Sequence, residues 1–166
     1  MKKIVYTVGT IIVGTFLLGL TYYYYVWNEH GDEQQNSIAV AEQEYGISEV
    51  MDINHYYGSY AAYDVIHAKK EGEERIIFVP LDKNGDLQMI DGKEGWDRNK
   101  VKQYVRQELS PDRLVSIRLG LEKFRETSPF IPVWEIVYED SGSQYTFHYI
   151  RYDDGTHFKT YKMKKS

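Results

Sequence analysis

The chain has 166 residues, with 20 lysines and arginines against 25 aspartates and glutamates, a formal net charge of −5 at pH 7, and no cysteine. This acidic balance argues against nucleic acid as a partner, because nucleic-acid binding depends on clustered cations. The lack of cysteine excludes disulfides, thiolate metal sites and lipoprotein processing, so the folded part must depend on its own apolar core.

The N-terminal segment is predicted to be a transmembrane helix. Lys2 and Lys3 lie in residues 1–3, and residues 4–27 carry no formal charge. A helix over 4–27 is roughly 36 Å long at about 1.5 Å per residue, enough to cross a hydrocarbon core of about 30 Å. The lysines place residues 1–3 in the cytoplasm. We therefore expect a single-pass protein of the cell membrane, anchored in the lipid bilayer, with an extracellular C-terminal domain.

Aromatic residues crowd the outer end of this span, where amphipathic rings favour the level of the lipid headgroups. The predicted interfacial belt consists of Tyr22, Tyr23, Tyr24, Tyr25 and Trp27. A cleaved signal peptide would instead have an apolar core of about 7–15 residues, followed by small residues at the cleavage site. The belt is a poor cleavage site, so we expect the segment to be retained as an anchor.

Small residues within the span are spaced for contact with another helix. Thr10 with Gly14, and Thr15 with Gly19, each form a small-xxx-small pair that lets a partner helix approach closely. Glycine and threonine are also common in membrane helices that have no such partner. Both interpretations therefore stay open.

Residues 28–35 are polar and acidic and are interpreted as a juxtamembrane stem. Asn36 or Ser37 is suited to cap a helix that ends at Tyr45, before Gly46. Runs rich in β-branched and aromatic residues then predict an antiparallel meander. The four predicted strands are Glu49–Tyr57, Tyr60–Ala68, Arg75–Leu81 and Leu87–Ile90.

The same order of elements returns in the second half of the chain. Asp97 is suited to cap a helix that continues to Leu109, with apolar residues on one face, and Ser110 with Pro111 ends it. The strands predicted after this helix are Leu114–Phe124, Val133–Glu139, Gln144–Tyr152 and Thr156–Lys162.

Turn residues separate the predicted strands. Gly72 lies between charged residues, and Asn84 with Gly85 forms an Asn-Gly pair of the kind that closes a hairpin. Gly142 and the stretch 153–155 mark the turns of the second half.

Two correspondences indicate an internal duplication. The triplet 63–65 (Tyr-Asp-Val) matches 134–136 (Trp-Glu-Ile), and Gly85 matches Gly155, at an offset of about 70 residues. The predicted fold class is therefore α+β. An N-terminal transmembrane helix is followed by two tandem modules, each a helix packed on an antiparallel sheet. Their predicted bounds are 36–92 and 93–163, followed by a tail at 164–166.

These segments resemble the YpmB/TseB-like proteins of Gram-positive bacteria, whose ectodomain consists of tandem PepSY-like, cystatin-like domains. The resemblance covers the whole chain and is carried by the helix Val101–Leu109, the stretch Val115–Glu122, the strand Val133–Tyr138 and the turn Tyr152–Gly155. The connection Phe124–Pro132 departs from the pattern as a long insertion, which makes it a candidate functional lip.

The resemblance implies a non-enzymatic regulator of cell-wall (peptidoglycan) elongation that acts by contact with an elongation-specific penicillin-binding protein. A PepSY-like fold equally suggests an inhibitor or chaperone-like domain for an extracytoplasmic peptidase, on fold analogy alone. The third alternative is an enzyme with an unrecognised site. Neither the oligomeric state nor the sign of the regulation follows from the sequence.

The motifs of nucleophilic, zinc-dependent and phosphate-binding enzymes are absent from the sequence, and no cofactor is expected. Asp82, Asn84 and Asp86 begin like a calcium loop, but Leu87 and Lys93 stand where that loop needs Gly and Glu, so we expect a turn and no metal. The five histidines are scattered: His30, His55, His67, His148 and His157.

Tyrosine is unusually frequent, with 16 residues. Exposed tyrosines make good contact residues, because they bury a large area at little cost in side-chain entropy. The aromatic residues predicted to form a partner surface are Tyr56, Tyr57, Tyr60 and Phe130.

Overall fold

The structure is a computed structural model that describes the backbone of residues 2–140 and 144–164. Side chains are described for residues 12–23, 33–140 and 144–164. Contacts within the chain divide it into two compact units, Met1–Ala39 and Val40–Ser166.

A single long helix, α1, runs over Lys2–Tyr45. The helix start predicted at Asn36 or Ser37 is therefore wrong, since residues 28–35 continue the helix. The physical reason is that residues 33–35 are strong helix formers and no proline interrupts the segment. The single glycine of the segment lowers helix stability by about 1 kcal/mol relative to alanine, which the helix tolerates.

The predicted end of α1 is confirmed. Gly46 follows Tyr45 with a φ of +63°, the left-handed conformation that glycine adopts without a steric penalty. Its N–H donates to the carbonyl oxygen of Glu42 at 2.9 Å, which satisfies one of the free carbonyls at the end of the helix.

Within the unit Met1–Ala39, apolar side chains of α1 are exposed. Those with 43 to 73% exposure are Ile12, Val13, Phe16, Leu17, Leu18 and Leu20. Among the residues described with side chains, no helix has an apolar stretch long enough to span a membrane. The predicted span 4–27 includes residues 4–11 and 24–27, whose side chains lie outside that set.

The unit Val40–Ser166 contains two four-stranded antiparallel sheets, each with its strands in chain order. The first consists of β1 (Glu49–Tyr57), β2 (Ala62–Lys70), β3 (Glu73–Pro80) and β4 (Gln88–Asp91). The second consists of β5 (Arg113–Glu122), β6 (Ile131–Asp140), β7 (Gln144–Arg151) and β8 (His157–Lys164). The mixed α+β class and the two meanders agree with the prediction.

The helix before the second sheet begins where the sequence predicts. The carboxylate of Asp97 accepts the N–H of Lys100 at 2.7 Å and caps α2, Arg98–Tyr104. The helix continues as a π-helical turn over Val105–Leu109 and ends at Ser110, whose φ is +41°. Its inward residues Val101 and Val105 join the core.

The first hairpin of each sheet carries the same irregularity. A register shift leaves Met51 as an extra residue in β1, and another leaves Val115 as an extra residue in β5. The acidic residues of the two matched triplets, Asp64 and Glu135, both lie on the second strand of their sheet. The two sheets therefore repeat one another in detail as well as in strand order.

Two glycine turns are confirmed. Gly72 has a φ of +81° and follows Glu71 at +53°, which closes the two-residue hairpin between β2 and β3. Gly155 has a φ of +74° in the turn between β7 and β8. Gly142 lies outside the described residues.

The Asn-Gly hairpin turn predicted at Asn84 and Gly85 is wrong. Neither residue has a positive φ, and the connection between β3 and β4 is longer, covering residues 81–87. Glycine is needed there for space, because a Cβ at Gly85 would lie 2.7 Å from the Cβ of Pro80.

The two sheets share one apolar core. Buried residues of both sheets and of the helical segment after Asp97 form one continuous cluster. Its members include Tyr56, Tyr63, Val65, Ile76, Phe78, Val101, Val105, Ile117, Leu119, Leu121, Trp134, Ile136 and Ile150. Each sheet therefore stabilises the other.

The two sheets approach each other closely at Gly120 of β5. A Cβ added there would lie 2.2 Å from the ring of Tyr56 in β1. The aromatic ring therefore occupies the space that a side chain at position 120 would need.

We expect Gly120→Ala to lower the free energy of unfolding by about 1–3 kcal/mol, because the Tyr56 ring must move. This loss exceeds the roughly 0.5–1 kcal/mol that alanine gains over glycine in a strand. Urea denaturation of the full chain measures the effect. Ser116→Ala on the same strand is the control and should stay within about 0.5 kcal/mol. Equal stability of both variants would contradict the close approach.

His148 of β7 links α2 to the second sheet. Its Nε2 lies 3.1 Å from the Tyr104 hydroxyl and its Nδ1 lies 2.9 Å from the Thr160 hydroxyl, and only 8% of the residue is exposed. Burial, followed by the nearby ring of His157, lowers the pKa of His148 to about 4.

This histidine makes stability depend on pH. Unfolded histidine titrates near 6.5, so the unfolded chain binds more protons than the folded chain between about pH 6.5 and 4. The free energy of unfolding should therefore fall by about 3 kcal/mol as the pH drops through this window. Denaturation at a series of pH values measures the fall. His148→Phe should remove this component, whereas His157→Gln should keep most of it, because burial is the larger cause. An unchanged pH slope in His148→Phe would contradict the assignment.

Candidate partner-contact surface

Three chain segments meet where β1 and β5 end and β8 begins, around the side chain of Glu122. This residue is fully buried, with 0% exposure. Its Oε1 accepts from the Tyr56 hydroxyl at 2.9 Å and from the Ser59 N–H at 2.8 Å. Its Oε2 accepts from the ammonium of Lys159 at 2.7 Å. One carboxylate therefore joins the loop after β1, the end of β5 and the start of β8.

Lys159 supplies the counter-charge that a buried carboxylate requires. Its ammonium also donates to the Ser59 hydroxyl at 3.0 Å and lies 4.6 Å from the ring centre of Tyr149. Burial and the neighbouring Glu122 raise the pKa of Tyr56 well above its usual value, so the phenol remains a hydrogen-bond donor.

A second carboxylate, Glu135 of β6, is 7% exposed on the same sheet. It accepts from the Tyr149 hydroxyl at 2.7 Å, and that hydroxyl lies 2.9 Å from the Tyr161 hydroxyl. Burial raises the pKa of Glu135. Both carboxylates are shielded from water and bound by donors of the chain itself. Glu122 fixes the loop after β1 in place, and Glu135 joins β6 to β7.

The loops fixed in this way expose aromatic side chains. Tyr57 is 69% exposed, Tyr60 37% and Phe124 62%. The half-buried ring of Phe158 makes an edge contact with Phe124 at 6.0 Å between ring centres. We call these four residues the aromatic loop surface. Exposed aromatic residues held on a rigid base are typical of protein contact sites.

Cations lie in the loop that carries Phe124. The guanidinium of Arg125 lies 5.6 Å from the ring centre of Phe124, and the ammonium of Lys123 lies 4.0 Å from that of Phe130. The loop turns where the Ser128 N–H donates to the Arg125 carbonyl at 2.9 Å. The candidate lip, Phe124–Pro132, therefore contributes an exposed ring and an exposed cation at its first residues.

The predicted partner residues separate into two groups. Tyr57 and Tyr60 are exposed, whereas Tyr56 (1%) and Phe130 (5%) are buried and cannot contact a partner. This correction follows from strand alternation, which turns Tyr56 inward over Gly120 while Tyr57 points outward. Phe130 packs edge-on against a buried core ring.

The charged pair that organises this surface, Glu122 with Lys159, is not predicted by any sequence motif. Glu122 follows an apolar stretch of β5, and a lone acid at the end of such a stretch is a signal for a buried partner. No local pattern connects Glu122 with its counter-ion Lys159, because the two residues lie 37 positions apart.

The residues predicted for membrane and helix contact lie in the unit Met1–Ala39. A Cβ at Gly14 or Gly19 would meet no atom within 4 Å. Tyr22 and Tyr23 are 72% and 60% exposed, and Thr15 is also exposed. The side chains of Thr10, Tyr24, Tyr25 and Trp27 lie outside the described residues. The helix contact and the interfacial belt therefore stay predictions.

The acidic segment that resembles a calcium loop forms a turn. The Asp82 carboxylate accepts the N–H groups of Asn84 at 2.8 Å and Ala62 at 3.1 Å. These backbone donors lower the pKa of Asp82. In the part of the chain that the structure describes, no group of three or more acidic or histidine side chains is placed to hold a metal ion.

Comparison with known proteins gives two matches. The chain is 24% identical over 156 residues to the probable cell wall elongation regulator TseB of Bacillus subtilis, covering 93% of each chain. It superposes on the solved structure of the YpmB protein from Bacillus subtilis with a TM-score of 0.65 at 23% identity, covering 78% of this chain and 96% of that one. No protein-family profile matches. The two matches confirm the resemblance to YpmB/TseB-like proteins, and the second shows the shared fold.

We expect Glu122→Gln to lower the free energy of unfolding by about 3 kcal/mol, because it leaves the Lys159 ammonium without its counter-ion. The loss is at the lower end of the range for buried pairs, since the Lys159 side chain is 23% exposed. Chemical denaturation measures it. Adding Lys159→Met should recover part of the loss, and Glu126→Gln in the neighbouring exposed loop should stay within about 0.5 kcal/mol. No recovery in the double variant would contradict the pairing.

Proposed function

We propose that this chain is a membrane-anchored, extracytoplasmic regulator of cell-wall elongation that acts by contact with a penicillin-binding protein. The observation that carries this proposal is the similarity to TseB, which extends over 93% of both chains. A match of that extent includes both sheets, the helix between them and part of α1. The proposal therefore takes the whole chain, and no fragment of it, as the functional unit.

The proposed anchor is residues 4–27, with the N-terminus in the cytoplasm. Apolar side chains of α1 between positions 12 and 20 are exposed, as expected of a helix surrounded by lipid. The match to TseB covers 156 residues, so too few residues lie outside it for the whole segment 4–27 to be unmatched. Lys2 and Lys3 before the uncharged stretch support the orientation.

The proposed mode of action is contact without catalysis. The aromatic loop surface has exposed rings on a base fixed by a buried ion pair, which lowers the entropy cost of binding. The two buried carboxylates, Glu122 and Glu135, are bound by donors of the chain itself. Contact through a rigid surface is the activity that this geometry supports best.

Photocrosslinking in intact Gram-positive cells that produce the chain tests the proposal. A photoreactive residue at Tyr57 or Phe124 should capture a penicillin-binding protein, because these side chains are the most exposed of the aromatic loop surface. Met163 of β8, 54% exposed, is the matched control position and should not capture it. In the same cells, the pair Tyr57→Ala and Phe124→Ala should change the rate of elongation, whereas Met163→Ala should not.

Stability must be measured in parallel, and these surface variants should stay within about 0.5 kcal/mol of the original chain. Capture of a peptidase at Tyr57 and Phe124 would overturn the proposal in favour of a peptidase inhibitor. Capture of nothing, or equal capture at Met163, would remove the aromatic loop surface from the mechanism.

A further inference from the structure

A cleft lies between the two sheets, apart from the aromatic loop surface. Its volume is about 460 Å³, within the range of about 300–1,000 Å³ that small-ligand sites occupy. One wall is formed by β1 and its sheet, and the other by β5 with the start of α2. Its apolar lining residues include Val65, Ile76, Ile117, Leu119 and Trp134.

The rim of the cleft carries opposite charges on its two walls. Asp52 and Glu74 belong to the first sheet, whereas Arg98 begins α2 and Arg118 lies on β5. All four residues are exposed. None of them forms an ion pair with another side chain in the described ranges.

The other charged residues of the lining are already engaged. The guanidinium of Arg75 binds the carboxylate of Asp91 at 2.6 Å, and the carboxylate of Asp97 caps α2. Burial lowers the pKa of His67, so its ring is neutral at neutral pH. The charges of Asp52, Glu74 and Arg98 also act on this ring. The carboxylate of Asp52 accepts the side-chain N–H of Asn54 at 2.6 Å, and Arg118 lies opposite Glu135 in the strand register. Neither of these contacts is an ion pair, so two negative and two positive groups can still pair with a charged ligand.

The strands of the two walls also offer backbone groups. β1 and β5 are each the first strand in their sheet order, so each has one neighbouring strand among the described residues. An edge strand presents unpaired N–H and C=O groups that can bind an extended chain. A ligand with peptide groups between two opposite charges matches both features.

We propose that the cleft binds a short peptide with free termini, its ammonium group paired with Asp52 and Glu74 and its carboxylate paired with Arg98 and Arg118. The apolar floor suits small aliphatic side chains such as alanine. The inference adds a ligand site to the proposed function and does not depend on it, because it concerns a different surface.

Calorimetric titration of the full chain in lipid nanodiscs with trialanine tests the proposal. The control ligand is N-acetyl-trialanine amide, which keeps the side chains and peptide groups but removes both terminal charges. We expect the capped peptide to bind roughly tenfold to a hundredfold more weakly. Arg98→Gln and Asp52→Asn should each weaken trialanine binding by about tenfold or more, whereas Arg106→Gln on the same helical segment should not.

The site should also be visible spectroscopically, because Trp96 and Trp134 line the cleft. Trialanine should change the tryptophan fluorescence of the original chain and of Arg106→Gln, but not that of Arg98→Gln at the same concentration. The emission spectrum of Arg98→Gln without peptide should match that of the original chain, which separates loss of the site from loss of folding.

Three outcomes would overturn the proposal: equal affinity for the free and capped peptides, an unchanged affinity in Arg98→Gln, or no binding up to about 10 mM trialanine. Binding of poly(glycerol phosphate) in place of trialanine would assign the cleft to an anionic polymer and equally overturn it. None of these results alters the crosslinking at Tyr57 and Phe124, so the two proposals fail separately.

Discussion

The buried carboxylate of Glu122 is the constraint on which the arrangement of this protein depends. It is removed from water, and its partners Tyr56, Ser59 and Lys159 come from both sheets. A charge in such a place is stable only if all its partners are in position, so the pair specifies one docking of the sheets. The aromatic ring of Tyr56 packs against Gly120, and this steric contact favours the same docking of the sheets. The exposed residues Tyr57 and Phe124 follow Tyr56 and Glu122 closely in the chain, so the same contacts fix the base of the aromatic loop surface.

The local elements could be predicted from the sequence because their determinants are local. The cap at Asp97, the stop at Gly46 and the turn at Gly155 each depend on a side chain or a backbone angle within a few positions. Alternating aromatic and β-branched residues located all eight strands to within a few residues. The continuity of α1 was missed because the polar stem was interpreted as a break, although polar residues are good helix formers when nothing interrupts them.

The docking of the sheets could not be predicted in this way. Whether Tyr56 or Tyr57 faces inward depends on which face of β1 meets β5, and this is decided by contacts over 60 positions apart. Gly85 was assigned to a turn type, but it leaves space for the hydroxyl of Tyr63 on β2, which would lie 2.9 Å from a Cβ there. The ion pair between Glu122 and Lys159 and the opposite charges along the cleft also join residues that are distant in the chain, so no local pattern predicts them.

The matching irregularities of the two sheets have a consequence for the direction of anything bound between them. Met51 and Val115, the extra residues of β1 and β5, both line the cleft, so corresponding strands of the two repeats form its walls. Asp52 follows the irregularity in β1 and Ser116 follows it in β5, while the residues two positions further along are Asn54 and Arg118. The two walls therefore differ in charge at corresponding positions, so a chain with unlike ends that lies between them has a single preferred direction.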